Sequence, residues 1–452
     1  MKVKMLCRNP SDYVRETKND IHKVPRNYDP SLHPFQQSRE YVRAVNATKL
    51  ERVFAKPFLG SLDGHRDGVH CLAKHPKQLS SLISGSYDGE VRLWNVSRRK
   101  CLASVQAHSG YVRGICVDPS GETFLTVGDD KRISRWALEG LISRESSGGE
   151  MPEPVQFILT THALLDISHH WSSTLFATCG DGEGVYVWDE QRTTPVRCFN
   201  WGVDTVHRIR FNPIETDLLA AAASDRSIIL YDCRGQVPLR KVTLKLRSNA
   251  IAWNPMEAFI FTVANDDYNL YSFDIRKLTD PVNMHMDHVE AVMDVDYSPT
   301  GREFVSGGYD KTVRVFPLNR AHSREVYHTK RMQRVMCVQW SSDAKYLLTG
   351  SDEMNIRVWK ANAAEKLGPL RARERASMQY ADKLKEKYAA HPEIRRIARH
   401  RHVPKHVFNA RRELRTIAES QRRKEANRRA HSKPGEVPYV PERQKRIVGE
   451  DK

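Results

Sequence analysis

The chain has 452 residues and a formal net charge of +17 at neutral pH, with eight cysteines and no Cys-x-x-Cys pair. The length allows two to four average domains, and the scattered cysteines point away from a zinc site or a disulfide framework. Cys71, Cys116, Cys179 and Cys337 fall in apolar runs and read as buried free thiols in a reducing compartment. No stretch is apolar for long enough to make a signal peptide or a membrane span, so a soluble intracellular protein without a membrane partner is expected. In chain order, residues 8–40 come first: they are polar and carry Pro10, Pro25, Pro30 and Pro34. Proline disfavours a long helix and polarity disfavours a core, so residues 1–56 are expected to form an extended N-terminal arm with a short helix. Phe58-Leu59-Gly60-Ser61-Leu62 follows as a candidate strand.

From there the chain repeats. Trp94, Trp136, Trp188, Tyr231, Phe273, Phe316 and Trp359 are separated by 42, 52, 43, 42, 43 and 43 residues. Each closes a short alternating run, as in Glu90-Val91-Arg92-Leu93-Trp94 and Asn355-Ile356-Arg357-Val358-Trp359, the pattern of a half-buried strand. Turn signals such as Pro119-Ser120-Gly121 and Pro299-Thr300-Gly301 fall between the runs. Units of this length ending in a β-run and an aromatic are the mark of a seven-bladed β-propeller of WD repeats, an all-β fold expected over residues 57–360. The strand at Phe58–Leu62 is expected to close the ring by pairing with the strand ending at Trp359, which removes the free edge. The single long interval contains Glu145-Ser146-Ser147-Gly148-Gly149-Glu150 and reads as a surface loop of about ten residues inserted between units two and three.

Ten residues before each aromatic stand Ser84, Thr126, Thr178, Ala221, Val263, Ser306 and Thr349; six before stand Asp88, Asp130, Gly182, Asp225, Asp267, Asp310 and Glu353. Gly64-His65, Ala107-His108 and Asp287-His288 mark unit starts. This resembles the buried Asp-His-Ser/Thr-Trp tetrad of WD repeats, a polar network that specifies one geometry when fully paired. His65, Ser84, Asp88 and Trp94, and then His108, Thr126, Asp130 and Trp136, are expected to form complete tetrads. Unit six lacks the indole donor, and units four and five are expected to rely on packing. The recurrence also argues that His65, Asp88 and Ser84 are structural rather than a catalytic triad. With no phosphate-binding loop, and with His400-Arg401-His402 lacking a carboxylate cluster beside it, no catalytic residue, cofactor or metal is expected, and the protein reads as a non-enzyme.

Residues 361–452 are expected to form a basic helical domain. From Lys360 onward there are 26 Lys/Arg against 12 Asp/Glu, so nearly all of the excess charge sits here and suggests a polyanionic partner. Tyr380, Leu384 and Tyr388 mark one helix, ended by His391-Pro392. Val407, Ala410, Leu414, Ile417 and Ala418 mark a second, starting after Pro404. One reading is a solvated helix docked on the propeller. The other docks it by this stripe and leaves arginines facing RNA phosphates, whose oxygens the guanidinium fork binds bidentately. The candidate phosphate-binding residues are Arg395, Arg396, Arg399, Arg401, Lys405, Arg411, Arg412, Arg415, Arg422, Arg423, Lys424, Arg428 and Arg429. No aromatic RNA-stacking motif accompanies them, so backbone-directed, salt-sensitive binding is expected.

The tail segments Lys366-Leu367-Gly368-Pro369-Leu370, His391-Pro392-Glu393-Ile394-Arg395-Arg396-Ile397, His400-Arg401-His402-Val403-Pro404-Lys405 and Asn427-Arg428-Arg429-Ala430-His431-Ser432-Lys433-Pro434-Gly435 resemble the tail of the suppressor-of-fibrillarin family. Arg26-Asn27-Tyr28-Asp29-Pro30 and Glu40-Tyr41-Val42-Arg43-Ala44-Val45-Asn46 are similar to that family as well. The resemblance implies a nuclear, nucleolar scaffold of the small-subunit processome. Its implied partners are precursor rRNA, a box C/D small nucleolar RNP and processome proteins. Separately, Tyr231-Asp232-Cys233-Arg234 and Phe273-Asp274-Ile275-Arg276 resemble the WDxR boxes of cullin-RING ligase substrate receptors. That likeness implies that Asp232, Arg234, Asp274 and Arg276 meet the damage-specific DNA-binding adaptor. The alternative for each box is a local ion pair.

Overall fold

The protein is seen here in a computed structural model that describes residue 31 and residues 33–145, 153–182, 184–235, 237–433 and 435–451. The expected arm up to residue 30, including Pro10, Pro25, Pro30 and the Arg26–Pro30 motif, lies outside the described residues, as does the inserted segment Ser146-Ser147-Gly148-Gly149-Glu150. The described residues divide into two compact units, one within 58–361 and 402–451, the other within 31–57 and 362–401.

In the larger unit the alternating runs form seven antiparallel sheets of consecutive strands. Each inner strand neighbours the inner strand of the next blade all the way round the ring. The ring closes as expected, because Phe58–Asp63 joins the last blade as its outer strand, with Phe58 opposite Trp359 and Leu62 opposite Ile356. The periodic aromatics Trp94, Tyr231, Phe273, Phe316 and Trp359 are almost wholly buried between blades. Such side chains each withdraw about 2 kcal/mol of apolar surface from water. In a four-stranded meander, turns between the second and third strands, and links from one blade to the next, collect on one face of the ring. We call that face upper; the other two kinds of turn form the lower face.

The tetrads depart from expectation in two places. Blade 2 is complete: His108 Nδ1 lies 2.8 Å from Asp130, His108 Nε2 lies 2.9 Å from Thr126 Oγ1, and the Trp136 indole N–H donates to Thr126 at 3.1 Å. In blade 1 Trp94 and His65 both meet Ser84, at 2.7 and 2.6 Å, but Asp88 does not complete the set. Asp88 accepts the backbone N–H of Glu90 instead, and the carboxylate nearest His65 Nδ1 is Glu90 at 3.9 Å. The second departure is blade 5, which does not rest on packing alone. Thr262 bonds Ser272 at 2.8 Å and Tyr297 at 2.6 Å, and Ser272 lies 3.0 Å from His285 Nε2. Blade 6 keeps His288 between Asp310 (2.9 Å) and Ser306 (2.7 Å), without an indole.

The long interval lies inside blade 2, between its third strand and its outer strand Gln156–Leu159, and not between units two and three; its described part opens as a helix. Helix α1 (Gln36–Val53) precedes the propeller and helix α2 (Leu138–Glu145) follows the third strand of blade 2. Leu138 and Leu141, at i and i+3, bury themselves beside Leu93, Ala103 and Trp136. The segment 361–452, expected as one domain, contributes to both units. Helices α3 (Ala372–Lys387) and α4 (Pro392–Arg399) belong with α1, where Leu384 and Ile394 close a small core on Ala44 and Val45. Tyr41 donates to Glu393 at 2.6 Å, and Lys385 reaches Glu51 at 2.7 Å, around that core. Residues 36–40, read as extended, are the first turn of α1, beginning just after Pro34. Pro392 both ends the α3 region and starts α4, a first-turn position where its missing N–H costs nothing.

Candidate protein and nucleic-acid interfaces

Helix α5 (Lys405–His431) carries most of the predicted phosphate ligands, and its N-terminal part is bound to the upper face of blade 6. Val407 is fully buried. His402 stacks on His328, with centroids 5.1 Å apart, and His406 Nε2 approaches the Asp310 carbonyl at 3.4 Å. Arg411 donates to Asp287 at 2.7 Å. Asp287 is itself nearly buried and also accepts from Ser323, through its N–H and hydroxyl, both at 2.7 Å. Burial alone would raise the Asp287 carboxyl. The His322 hydrogen bond and the Arg411 and Arg314 charges outweigh it and hold the group at about 2. Arg411, expected as a phosphate ligand, is therefore an anchor of the helix through this ion pair, and the predicted apolar stripe is only partly used: Ala410 and Leu414 are half-buried, whereas Ile417 is 54% exposed.

Beyond that anchor the chain turns back along α5. Lys445 bridges Glu425 (2.6 Å) and Glu442 (3.2 Å), Arg422 lies 3.6 Å from Glu442, and the Arg429 guanidinium sits 5.0 Å over the Tyr439 ring. Arg446 then approaches Asp267 of blade 5 at 3.7 Å. The last described residues, Ile447–Asp451, add to blade 4 as a fifth strand, with Lys241 opposite Asp451 and Val242 opposite Glu450. Both ends of the appendage are thus pinned to the propeller. A tail expected to be helical and basic ends in a β-strand, and its only local signal was the short run Ile447-Val448.

The predicted phosphate ligands therefore sort by environment. Lys405, Arg412, Arg423, Lys424 and Arg428 are exposed on α5. Arg415 is exposed but pairs with Glu419 one turn on, at 2.8 Å. Arg422 and Arg429 face the returning chain. Arg395, Arg396 and Arg399 are exposed on α4 in the smaller unit, and Arg401 caps that helix by donating to the Ala398 carbonyl at 2.6 Å.

The lower face is built differently. Asp232 and Asp274 end the third strands of blades 4 and 5, and each turns its arginine back on itself. Arg234 donates to Asp232 through Nε at 3.1 Å and a terminal nitrogen at 3.0 Å. Arg276 does the same to Asp274 at 3.0 and 2.7 Å, and also lies 4.7 Å over the Phe259 ring. The hydrogen bond from each arginine comes first in lowering the Asp232 and Asp274 carboxyls, ahead of the opposing effect of burial. The two arginines remain 66% and 67% exposed, so each box forms the local ion pair and presents it to solvent on adjacent blades. Turns of the same face expose Trp171, Ile214, Met256 and Phe259. Apolar groups around paired charges suit a protein partner better than a phosphate backbone.

Sequence reasoning missed the charged centre of the ring. Arg208 of blade 4 reaches Asp166 of blade 3 at 3.5 Å and Asp294 of blade 6 at 3.8 Å, and Arg210 binds Asp166 at 2.6 Å. The available signal was a charge at alternate positions of an otherwise apolar inner strand, as in Val206-His207-Arg208-Ile209-Arg210-Phe211. Burial, together with Arg208 and Arg113, depresses the nearby His70 imidazole to about 3. Two groups among the described residues have metal-compatible spacing, His65 with Asp88 and Glu90, and Asp118 with His169 and Glu190. In the second, Glu190 already meets His169 at 2.8 Å and Arg135 at 2.6 Å, so a cation would have to displace both.

Fold and surfaces define a WD-repeat platform whose upper face holds a basic C-terminal appendage and whose lower face presents the two Asp–Arg pairs. A WD domain, G-beta repeat model matches residues 56–95, 99–136, 280–316 and 324–360, and a Sof1-like domain model matches residues 361–447. The blades outside those matches are the third to fifth. The chain is 59% identical over 448 residues to DDB1- and CUL4-associated factor 13 of Homo sapiens, covering 99% of each. It is 58% identical over 449 residues to the protein of that name in Xenopus laevis, again covering 99% of each. With protein SOF1 of Saccharomyces cerevisiae it shares 43% identity over 468 residues, covering 99% of this chain and 95% of that one. The chain belongs to the Sof1-like family of WD-repeat proteins.

Proposed function

We propose that this protein is a non-enzymatic scaffold of the nucleolar small-subunit processome, acting in precursor rRNA processing. In this reading the propeller binds proteins and the exposed arginines of α5 bind rRNA or an rRNA–protein surface next to a box C/D small nucleolar RNP. The observation that carries it is the way α5 is held. Arg411 and Val407 fix its first turns, the return segment braces its last, and Arg412, Arg423, Lys424 and Arg428 are left in solvent on a rigid rod. A pre-positioned set of guanidinium and ammonium groups loses little entropy on meeting phosphates. Likeness along the whole chain to SOF1 supports the same reading.

The test is in-cell crosslinking with sequencing of bound RNA, comparing the full chain with a variant carrying R412E, R423E, K424E and R428E. Loss of precursor-rRNA crosslinks in a folded variant supports the proposal, and retained crosslinks refute it. Truncation at residue 360 is a poorer test, because it also removes α3, α4 and the fifth strand of blade 4.

A second reading, substrate receptor of a cullin-RING ubiquitin ligase, is favoured by the exposed Asp232–Arg234 and Asp274–Arg276 pairs and by the names of the animal relatives. The two roles use opposite faces, so neither occludes the other. Co-purification of the damage-specific DNA-binding adaptor with R234E/R276E decides it: unchanged recovery removes the reading.

A further inference from the structure

Blade 2 ends in an outer strand, Gln156–Leu159, whose inner neighbour is the strand Arg132–Ala137. Just before it, the Val155 N–H donates inward to the Arg135 carbonyl at 2.8 Å. That bond lies one residue off the strand register, whereas Thr160 N–H donates to the Lys131 carbonyl at 2.8 Å in register. Gln156 and Ile158 therefore bond into the blade, and the N–H and C=O of Phe157 and Leu159 point away from it. Side chains alternate as well. Ile158 is buried, whereas Val155, Phe157 and Leu159 are 65%, 51% and 70% exposed along one line.

Edge strands of soluble proteins are normally guarded by charge, proline or a bulge, because bare backbone flanked by apolar side chains recruits another strand. This one is unguarded: no Asp, Glu, Lys or Arg occurs from Pro154 through Leu165. Other blades manage their edges. The outer strand of blade 1 contains Lys100, that of blade 3 Arg197 and that of blade 6 Glu325. Blade 4 instead covers its outer strand, Arg240–Leu244, with the chain's own Ile447–Asp451.

We propose that the outer strand of blade 2 is a β-augmentation site that takes an extended segment of a partner protein as a fifth strand, in the way blade 4 takes the chain's own C-terminal strand. The partner segment carries apolar residues at alternate positions, to lie on Val155, Phe157 and Leu159. Acidic residues flank them, to meet Lys131 and Arg132, whose guanidinium already sits 4.5 Å over the Phe157 ring. A second copy of this chain is a poor occupant because its net charge of +17 repels itself.

The probe is a synthetic peptide, Asp-Val-Thr-Val-Thr-Val-Asp, added to the full-length protein while hydrogen exchange of the Phe157 and Leu159 amides is followed. Saturable protection of both amides is expected. Leu159→Pro removes an outward N–H that the blade itself does not use, and should abolish protection at Phe157. The double variant F157K/L159K changes only exposed side chains and should weaken binding roughly tenfold or more. Melting curves identify any variant that fails to fold, and the other then carries the test. Absence of protection at saturating peptide overturns the proposal. So does full protection in the free monomer, which would mean that the chain covers this edge itself. A dimer that disappears in F157K/L159K would assign the edge to a second copy and overturn it equally.

Discussion

The upper and lower faces of this propeller use arginine in opposite ways. On the upper face Arg411 is committed to Asp287, a nearly buried carboxylate that also binds Ser323 and His322, so the cation holds one part of the chain to another. On the lower face Arg234 and Arg276 pair with the aspartates two residues before them and keep two thirds of their surface in solvent. The residue type is the same; what differs is the burial of the carboxylate. A buried carboxylate that loses its cation cannot turn to water, whereas an exposed pair exchanges partners at little cost. The upper contact is therefore architecture and the lower ones are available for binding.

The largest effect that would break this contrast is at Asp287. Asp287→Ala should cost about 3 kcal/mol, seen as a lower denaturation midpoint together with faster proteolysis within α5. Unchanged protection of α5 would show that the contact is ornamental. Next, the α5 charge-reversal variant should flatten the salt dependence of RNA binding. The log–log slope should fall by about 0.7 for each phosphate of a single strand that the helix no longer neutralises. An unaltered slope would move the phosphate-binding role to α4 or to the anchored residues.

The docked end of α5 should also respond to pH. His322 is held above its ordinary value of 6.5, first by its hydrogen bond to Asp287 against the opposing effect of burial. A raised histidine stabilises the folded state fully below 6.5 and loses that contribution as pH rises through its folded value. Asp287, depressed to about 2 from 3.8, contributes above 3.8 and loses its share as pH falls toward 2. The stability that this site gives the folded state should thus be greatest between about pH 4 and pH 6, measured as the pH dependence of the denaturation midpoint, and Asp287→Asn should remove both limbs. The smallest structural effect belongs to the lower face. R234E/R276E should shift stability by less than about 0.5 kcal/mol in thermal denaturation, while any protein bound there is released. A large drop in stability would mean that these pairs are architecture too.

Much of the fold is legible in the sequence. Strand alternation and the spacing from each Ser or Thr to its Trp are short-range relations, so seven blades, the closing strand at Phe58–Asp63 and the His108 tetrad follow from local pattern. The tetrad at His65 departs from that pattern because Asp88 and Glu90 are two residues apart, and only the turn's backbone decides which carboxylate faces the ring. Blade 5 departs from it because Tyr297, which completes its network, belongs to blade 6.

The interfaces are legible as residue types but not as roles. By itself the sequence determined that a nearly neutral ring carries a basic helical appendage, because composition and periodicity survive without knowledge of neighbours. Tertiary structure alone decided that Arg411 is an anchor, that residues 362–401 associate with α1 while residues 402–451 associate with the propeller, and that Ile447–Asp451 completes blade 4. Each of those contacts joins positions far apart in the chain. Which partner wins there depends on burial and geometry at the meeting point, and neither is encoded in the residues on either side.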